Sequence, residues 1–190
     1  MNEFFIRSAT PNDAGELLQI YDYYVRETAV TYEYVTPSPE EFRERIEKTL
    51  KKYPYLVVEE KRPDGKKGRL LGYAYASAFH EREAYKWCVE LSVYLDKDSR
   101  RQGIGRKLYD ELERMLGNMG FLNLNACIAM PDSEDEHLTL ASIRFHEKMG
   151  FSMVGEFHKC GFKFDRWYNM VWMEKLIGEH NSTPPQIKTI

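Results

Sequence analysis

Residues 100–107, Arg-Arg-Gln-Gly-Ile-Gly-Arg-Lys, set two glycines and four cations between an apolar strand-like run and a strongly amphipathic helix. The first turn of a helix leaves backbone N–H groups unpaired and carries partial positive charge. At Gly103 and Gly105 no Cβ stands between those donors and an approaching oxygen. A pyrophosphate is the natural partner of such a turn, and Arg100, Arg101, Arg106 and Lys107 add charge for further phosphates. A solvated basic helix start, with glycines that only shape a turn, fits the same eight residues. The nucleotide P-loop is excluded because no Gly-Lys-Ser/Thr follows, and the dinucleotide fingerprint because the glycine spacing differs.

The second chemical feature is Glu90, an acidic residue inside the run Cys88-Val-Glu-Leu-Ser-Val-Tyr-Leu95. Strand propensity and burial both disfavour Glu there. A partly desolvated carboxylate has its pKa raised toward neutrality, which suits a general base; an edge-strand charge or a salt-bridge partner is the alternative. Tyr32 and Glu33 on one loop, and Arg82 and Tyr85 on another, are candidates to line a pocket or simply to be solvated. Cys88, Cys127 and Cys160 are far apart and form no Cys-x-x-Cys, so neither a zinc knuckle nor a disulfide framework is expected. Cys88 and Cys127 read as small buried hydrophobes in apolar strands. The histidines lack metal-ligand spacing, and no metal is expected.

These residues need a scaffold. Phe4 to Ser8 reads as a strand, and Thr10-Pro11-Asn12-Asp13 as a turn that opens a helix carrying Leu17, Leu18, Tyr21 and Val25. Residues 29–39 form a loop, and Pro39 opens a helix with Phe42, Ile46 and Leu50 on one face. Strands are expected over 55–60 and 69–79, joined through Pro63-Asp64-Gly65, and over 87–95. The helix after the glycine turn runs to about Met119 on Ile104, Leu108, Leu112, Met115 and Met119. A strand over 122–129, a helix over 138–148 and strands over 152–164 and 167–174 complete the chain. This order indicates an α/β or α+β domain with a mixed sheet. Residues 1–177 form one domain, and the polar stretch 178–190 is expected to fray.

The chain's 190 residues suffice for one domain with a sizeable core. Aromatic residues at 14% point to a core or pocket built on Tyr, Phe and Trp. A formal net charge of -3 argues against a nucleic-acid partner, while leaving room for a local phosphate site. No long apolar run is present, so neither a signal peptide nor a membrane partner is expected, and the location read from the sequence is cytoplasmic.

Arg-x-x-Gly-x-Gly after a strand and opening a helix resembles the acetyl-CoA signature of the GNAT superfamily. Glu90 to Leu95 before it, and Ala141-Ser142-Ile143 with His146-Glu147-Lys148-Met149-Gly150-Phe151 after it, fit the family's order. Residues 28–33, 82–90 and 154–167 make the chain similar to the phosphinothricin acetyltransferase branch in particular, and the likeness spans roughly residues 5–175. The resemblance implies a mixed, mostly antiparallel central sheet flanked by helices and acetyl-CoA as co-substrate. It implies backbone contacts from Val93, Tyr94 and Leu95 to the pantetheine arm, and a pyrophosphate held by Arg101, Gln102, Gly103, Ile104, Gly105 and Arg106. Ser142 would lie near the cofactor, and Thr139 stands where the family usually has a cofactor-touching Asn. Glu90 would be the catalytic base and Arg82 would hold the acid group of a small amino-acid-like amine, with Tyr32, Glu33 and Tyr85 beside it. Many members place a general-acid Tyr at the position of His146; a packed or surface-facing helix histidine is the other reading. Branch members are often dimers, so a homodimer through the aromatic C-terminal strands is possible. Acetylation of protein N-termini or lysines, and a non-catalytic acyl-CoA sensor, are the competing functions.

Overall fold

The computed structural model describes residues 3–189. Its strands are β1 (Phe4–Ser8), β2 (Tyr55–Glu60), β3 (Leu70–Ala78), β4 (Cys88–Leu95), β5 (Asn123–Met130), β6 (Ser152–Lys163) and β7 (Arg166–Leu176). Its helices are α1 (Ala14–Glu27), α2 (Pro39–Leu50), α3 (Ile104–Met119) and α4 (Ala141–Lys148). The seven strands form one sheet in the order β1-β2-β3-β4-β5-β7-β6, and only the β4–β5 pair is parallel. The mixed, mostly antiparallel sheet is therefore the one expected.

Local chemistry fixes the helix starts. Ser38 Oγ accepts from Glu41 N–H at 3.1 Å, with Pro39 opening α2. The α3 stripe Ile104, Leu108, Leu112, Leu116 and Met119 is buried against the sheet, and Gly120 at φ 96° ends the helix. α1 and α2 cover the other face of the first four strands over an aromatic layer. Tyr21 and Tyr24 pack edge-on against Tyr94, and Tyr55 stacks on Tyr73 and Tyr75.

Two expectations need revision. Cys127 is exposed and Cys88 only partly buried. Cys127 falls on the α1/α2 side of β5, opposite Trp172 of β7, where neither helix extends to cover it. The segment after residue 177 makes specific contacts. Pro185 C=O accepts from Trp87 Nε1–H at 2.8 Å, and Lys188 N–H donates to Met119 C=O at 2.9 Å.

Candidate active site

The β4–β5 pairing is short. It comprises Cys88 with Asn123, Val89 with Leu124 and Glu90 with Asn125, yet β4 continues to Leu95 and β5 to Met130. The strands part beyond Glu90, and the sheet carries an open wedge in its middle. Asn125 closes the apex by donating its side-chain N–H to Val89 C=O at 3.1 Å. An internal pair of unpaired strand edges costs stability unless something fills it, and an extended ligand chain with amide groups suits it by strand pairing.

Alternation along β4 decides which groups face this wedge. Asp96 N–H bonds to Leu71 C=O of β3, so the amide of the preceding residue, Leu95, turns the other way. Leu95 N–H and C=O are both taken by the Tyr24 hydroxyl, at 3.1 and 2.8 Å. By the same parity Val93 directs its amide and carbonyl into the wedge, while those of Tyr94 turn to β3. Tyr24 was not singled out in the sequence, since its partner lies 71 residues away.

At the mouth of the wedge α3 begins. Gly103 is its N-cap at φ 77°, and no side chain caps the exposed N–H groups behind it. Arg101 sits at φ 62°, a left-handed backbone that non-glycine residues seldom adopt and that clusters at binding turns. A Cβ on Gly105 would approach Phe145 to 3.3 Å, so its small size also lets α3 close on α4. Arg101, Gln102 and Arg106 are exposed; Gln102 donates to Asp98 C=O at 3.3 Å and Arg106 to Lys148 C=O at 3.2 Å. The two other cations of the motif point elsewhere. Arg100 lies over the rings of Tyr23 and Tyr24, and Lys107 over Phe4.

Glu90 sits at the apex, half-buried, and accepts no hydrogen bond among the described residues. Burial alone raises its carboxyl pKa above the usual range. Its charge acts on Tyr75, Tyr109 and Cys127, and together with burial pushes the Cys127 thiol up to about 12 despite that residue's exposure to the cleft. The loop 79–87 forms one wall. Phe79 packs edge-on against Trp172 at 5.3 Å and near Tyr85 at 6.0 Å, with Arg82 exposed beside them. Across from it the α1–α2 loop carries Tyr32 and Glu33. Tyr32 O–H donates to Asn169 C=O at 2.8 Å, and Glu33 Oε1 accepts from Arg45 at 2.8 Å. Glu33 Oε2 is buried and unpartnered among the described residues.

His146 is packed. Its Nδ1 lies 2.8 Å from Ser142 C=O, which can only accept, so Nδ1 carries the proton. Nε2 then accepts from Tyr109 O–H at 2.9 Å. Burial pushes the imidazole down to about 4, so it is neutral near pH 7 and no strong proton donor. Ser142 is partly buried in α4. Thr139 is exposed, and its hydroxyl accepts from Ala141 N–H at 3.3 Å in a local turn. The acidic loop before it is pinned by Arg166, which pairs with Asp135 and Glu136 at 3.1 and 2.9 Å.

Two surface recesses, one between β1 and α3 and one beside the end of α1, touch neither Glu90 nor Gly103. No cluster of three or more His, Cys, Asp or Glu side chains suited to a metal ion occurs among the described residues.

Residues 6–172 match the model of the acetyltransferase (GNAT) domain. The chain belongs to the GNAT acetyltransferase family. Among its relatives, the phosphinothricin N-acetyltransferase of Alcaligenes faecalis is 34% identical over 95% of this chain and 86% of its own. The L-methionine sulfoximine/L-methionine sulfone acetyltransferase of Salmonella typhimurium is 29% identical over 92% of this chain and 95% of its own. The fold superposes on a GNAT phosphinothricin acetyltransferase from Sinorhizobium meliloti in complex with AcCoA. That match has a TM-score of 0.84 and 33% identity, covering 98% of this chain and 95% of the other. This GNAT protein is thus an acetyl-CoA-dependent N-acetyltransferase of the phosphinothricin acetyltransferase-like branch, with acetyl-CoA as its co-substrate. No helix among the described residues is long and apolar enough to cross a membrane.

Proposed function

We propose that this GNAT enzyme acetylates the amino group of a small amino-acid-like acceptor, of the phosphinothricin or methionine sulfoximine and sulfone kind, with Glu90 as general base. The observation that carries the reading is an unpaired, half-buried carboxylate at the apex of the wedge, where its pKa is raised by burial. Acetyl-CoA supplies an acetyl thioester whose carbonyl carbon accepts the nucleophile and whose sulfur leaves.

The chain's own groups do the rest. The first N–H groups of α3, with Arg101, Gln102, Gly103, Ile104, Gly105 and Arg106, bind the pyrophosphate, and Val93 pairs with the pantetheine arm. Ser142 of α4 and Thr139 just before it complete the cofactor contacts. Glu90 accepts a proton from the substrate ammonium, which frees the nitrogen lone pair for attack. As the new C–N bond forms, the C–S bond breaks, and the departing thiolate takes up the proton that the acylated nitrogen sheds. Arg82 with Tyr85 binds the acceptor's acid group, as a guanidinium suits a carboxylate or phosphinate. Tyr32 and Glu33 close the opposite side. The names borne by the relatives support this acceptor class.

We further propose a homodimer in the cytoplasm, where acetyl-CoA is at hand. Met153, Val154, Phe157, Phe162 and Trp167 are exposed on β6, an edge strand of the sheet, and on the adjoining start of β7, and a second copy suits so apolar a face.

The test is a screen of amino acids, their sulfoximine, sulfone and phosphinate analogues, and N-terminal and lysine peptides, read by thiol release from acetyl-CoA. Turnover confined to the amino-acid analogues is expected. Turnover confined to peptides, or acetyl-CoA binding without transfer to any amine, would overturn the reading.

A further inference from the structure

Lys163, at the end of β6, is a buried cation that the acetyl-transfer chemistry leaves unused. Only 3% of its surface is exposed, and its ammonium makes no ion pair among the described residues. It reaches back 135 and 132 residues to donate to Thr28 C=O and Thr31 C=O, both at 2.8 Å. Burial pushes its pKa down to about 8, against the opposing pull of Glu33. A buried ammonium is costly, and an apolar side chain would fill the same space without that cost. Its two acceptors lie just past the end of α1, where backbone carbonyls have no partner within the helix.

The same strand pair grips the α1–α2 loop at two further points. Tyr32 O–H donates to Asn169 C=O of β7, and Tyr34 O–H donates to Phe162 C=O of β6. Asn169 is itself fixed, since its amide donates to Asp132 and Glu156 and accepts from Lys159 N–H, all at 2.8 Å. Phe164 stacks on His137 at 3.8 Å, and His137 in turn lies 3.0 Å from Glu27 C=O. Ala29 and Tyr32 anchor the start of the loop against Leu138 and Tyr168, while Tyr34 and Val35 further along are exposed. Tyr21 Oη of α1, 3.0 Å from Thr31 Oγ1, and Arg45 of α2, bonded to Glu33 at 2.8 Å, hold the loop from the helix side, and the β6–β7 hairpin holds it from the other.

We propose that Lys163 is a positioning residue that clamps the α1–α2 loop so that the free oxygen of Glu33 and the ring of Tyr32 face the acceptor. The inference rests on the reading that this loop lines the acceptor pocket. It adds that the affinity for the amine is controlled from a hairpin residue that touches neither substrate.

Two readouts on the full chain test it: amide hydrogen exchange of residues 29–36, and the KM values for L-methionine sulfoximine and acetyl-CoA. Lys163→Met is expected to raise exchange in that loop about ten-fold or more while the α3 amides hold their wild-type rates. It should raise the acceptor KM about ten-fold and leave the acetyl-CoA KM within about two-fold. Lys163→Gln keeps one donor, should shift both readouts the same way by less, and serves if the Met variant does not fold. Unchanged loop exchange in a folded variant overturns the proposal, as does faster exchange with an unchanged acceptor KM. Glu33→Gln separates the two layers. If it raises the acceptor KM and the Lys163 variants do not, the clamp alone fails. If it leaves the KM unmoved, the assignment of the loop to the acceptor pocket fails, and the clamp's catalytic role fails with it.

Discussion

Replacing Gly161 by alanine isolates the contact between the β6–β7 hairpin and the acceptor loop. A Cβ built at Gly161 would collide with Cε2 and Cζ of Tyr32 and stand 2.9 Å from its Cδ2. The backbone there belongs to a strand register, so the ring is the part that yields. Once displaced, Tyr32 gives up its bond to Asn169 C=O, a loss of about 1 kcal/mol. Exposing more of a ring already half-buried, packed on Ala29, Leu138 and Tyr168, costs about 1–2 kcal/mol more. The sum, about 2–3 kcal/mol, corresponds to a Tm lowered by about 4–12 °C in a domain of this size. Thermal unfolding followed by circular dichroism measures this, and steady-state kinetics should find a raised KM for the amine with acetyl-CoA affinity unchanged. A Tm within about 1 °C of wild type and an unmoved KM would refute the packing of Tyr32 on the hairpin.

Two further outcomes are expected at the cofactor side. Gly103→Ala meets open space, so its effect is the left-handed backbone at φ 77°, about 1–2 kcal/mol; calorimetry should find acetyl-CoA bound several-fold more weakly, and an unchanged Kd would sink the phosphate turn. The His146 imidazole should titrate near pH 4, because burial disfavours its charged form. It should thus remain neutral across the working range, and an NMR midpoint above about pH 6 would contradict its packing against Tyr109.

What the sequence disclosed depended on whether the governing contacts were local. β1 fell on Phe4–Ser8 as expected and α3 on its stripe from Ile104 to Met119, because both are set by periodicity within a few residues. The turn at Gly103 was legible for the same reason. α4 begins at Ala141 rather than Leu138, since Asp135 accepts from the amides of His137 and Leu138 and holds that stretch as a turn. The wedge was not legible in residue spacing, and the resemblance to a family supplied its expectation. It arises from a parallel register that stops at Glu90 and Asn125, a matter between strands far apart in the chain. The bonding of Leu95 N–H and C=O to the Tyr24 hydroxyl of α1 was likewise hidden, since the two residues lie 71 apart in the chain. Cys127 read as core because its neighbours are apolar, yet which helix covers which strand is decided by tertiary arrangement. Lys163 gave no signal, for its partners lie in a loop more than a hundred residues earlier.

The measurement that bears most directly on the account is the pH dependence of acetyl transfer by wild type and Glu90→Gln, with acetyl-CoA affinity taken in parallel. Glu90 works as a base only when ionised, and burial raises its pKa above the ordinary 4.5. In the wild type, kcat/KM should therefore fall as pH drops through a midpoint above 4.5 and rise to a plateau on the alkaline side. Glu90→Gln should lose that acid limb and about 100- to 10,000-fold in turnover near neutral pH, while binding acetyl-CoA as tightly as before. A variant that retains wild-type turnover, or the same acid limb, would contradict the assignment of Glu90 as the base.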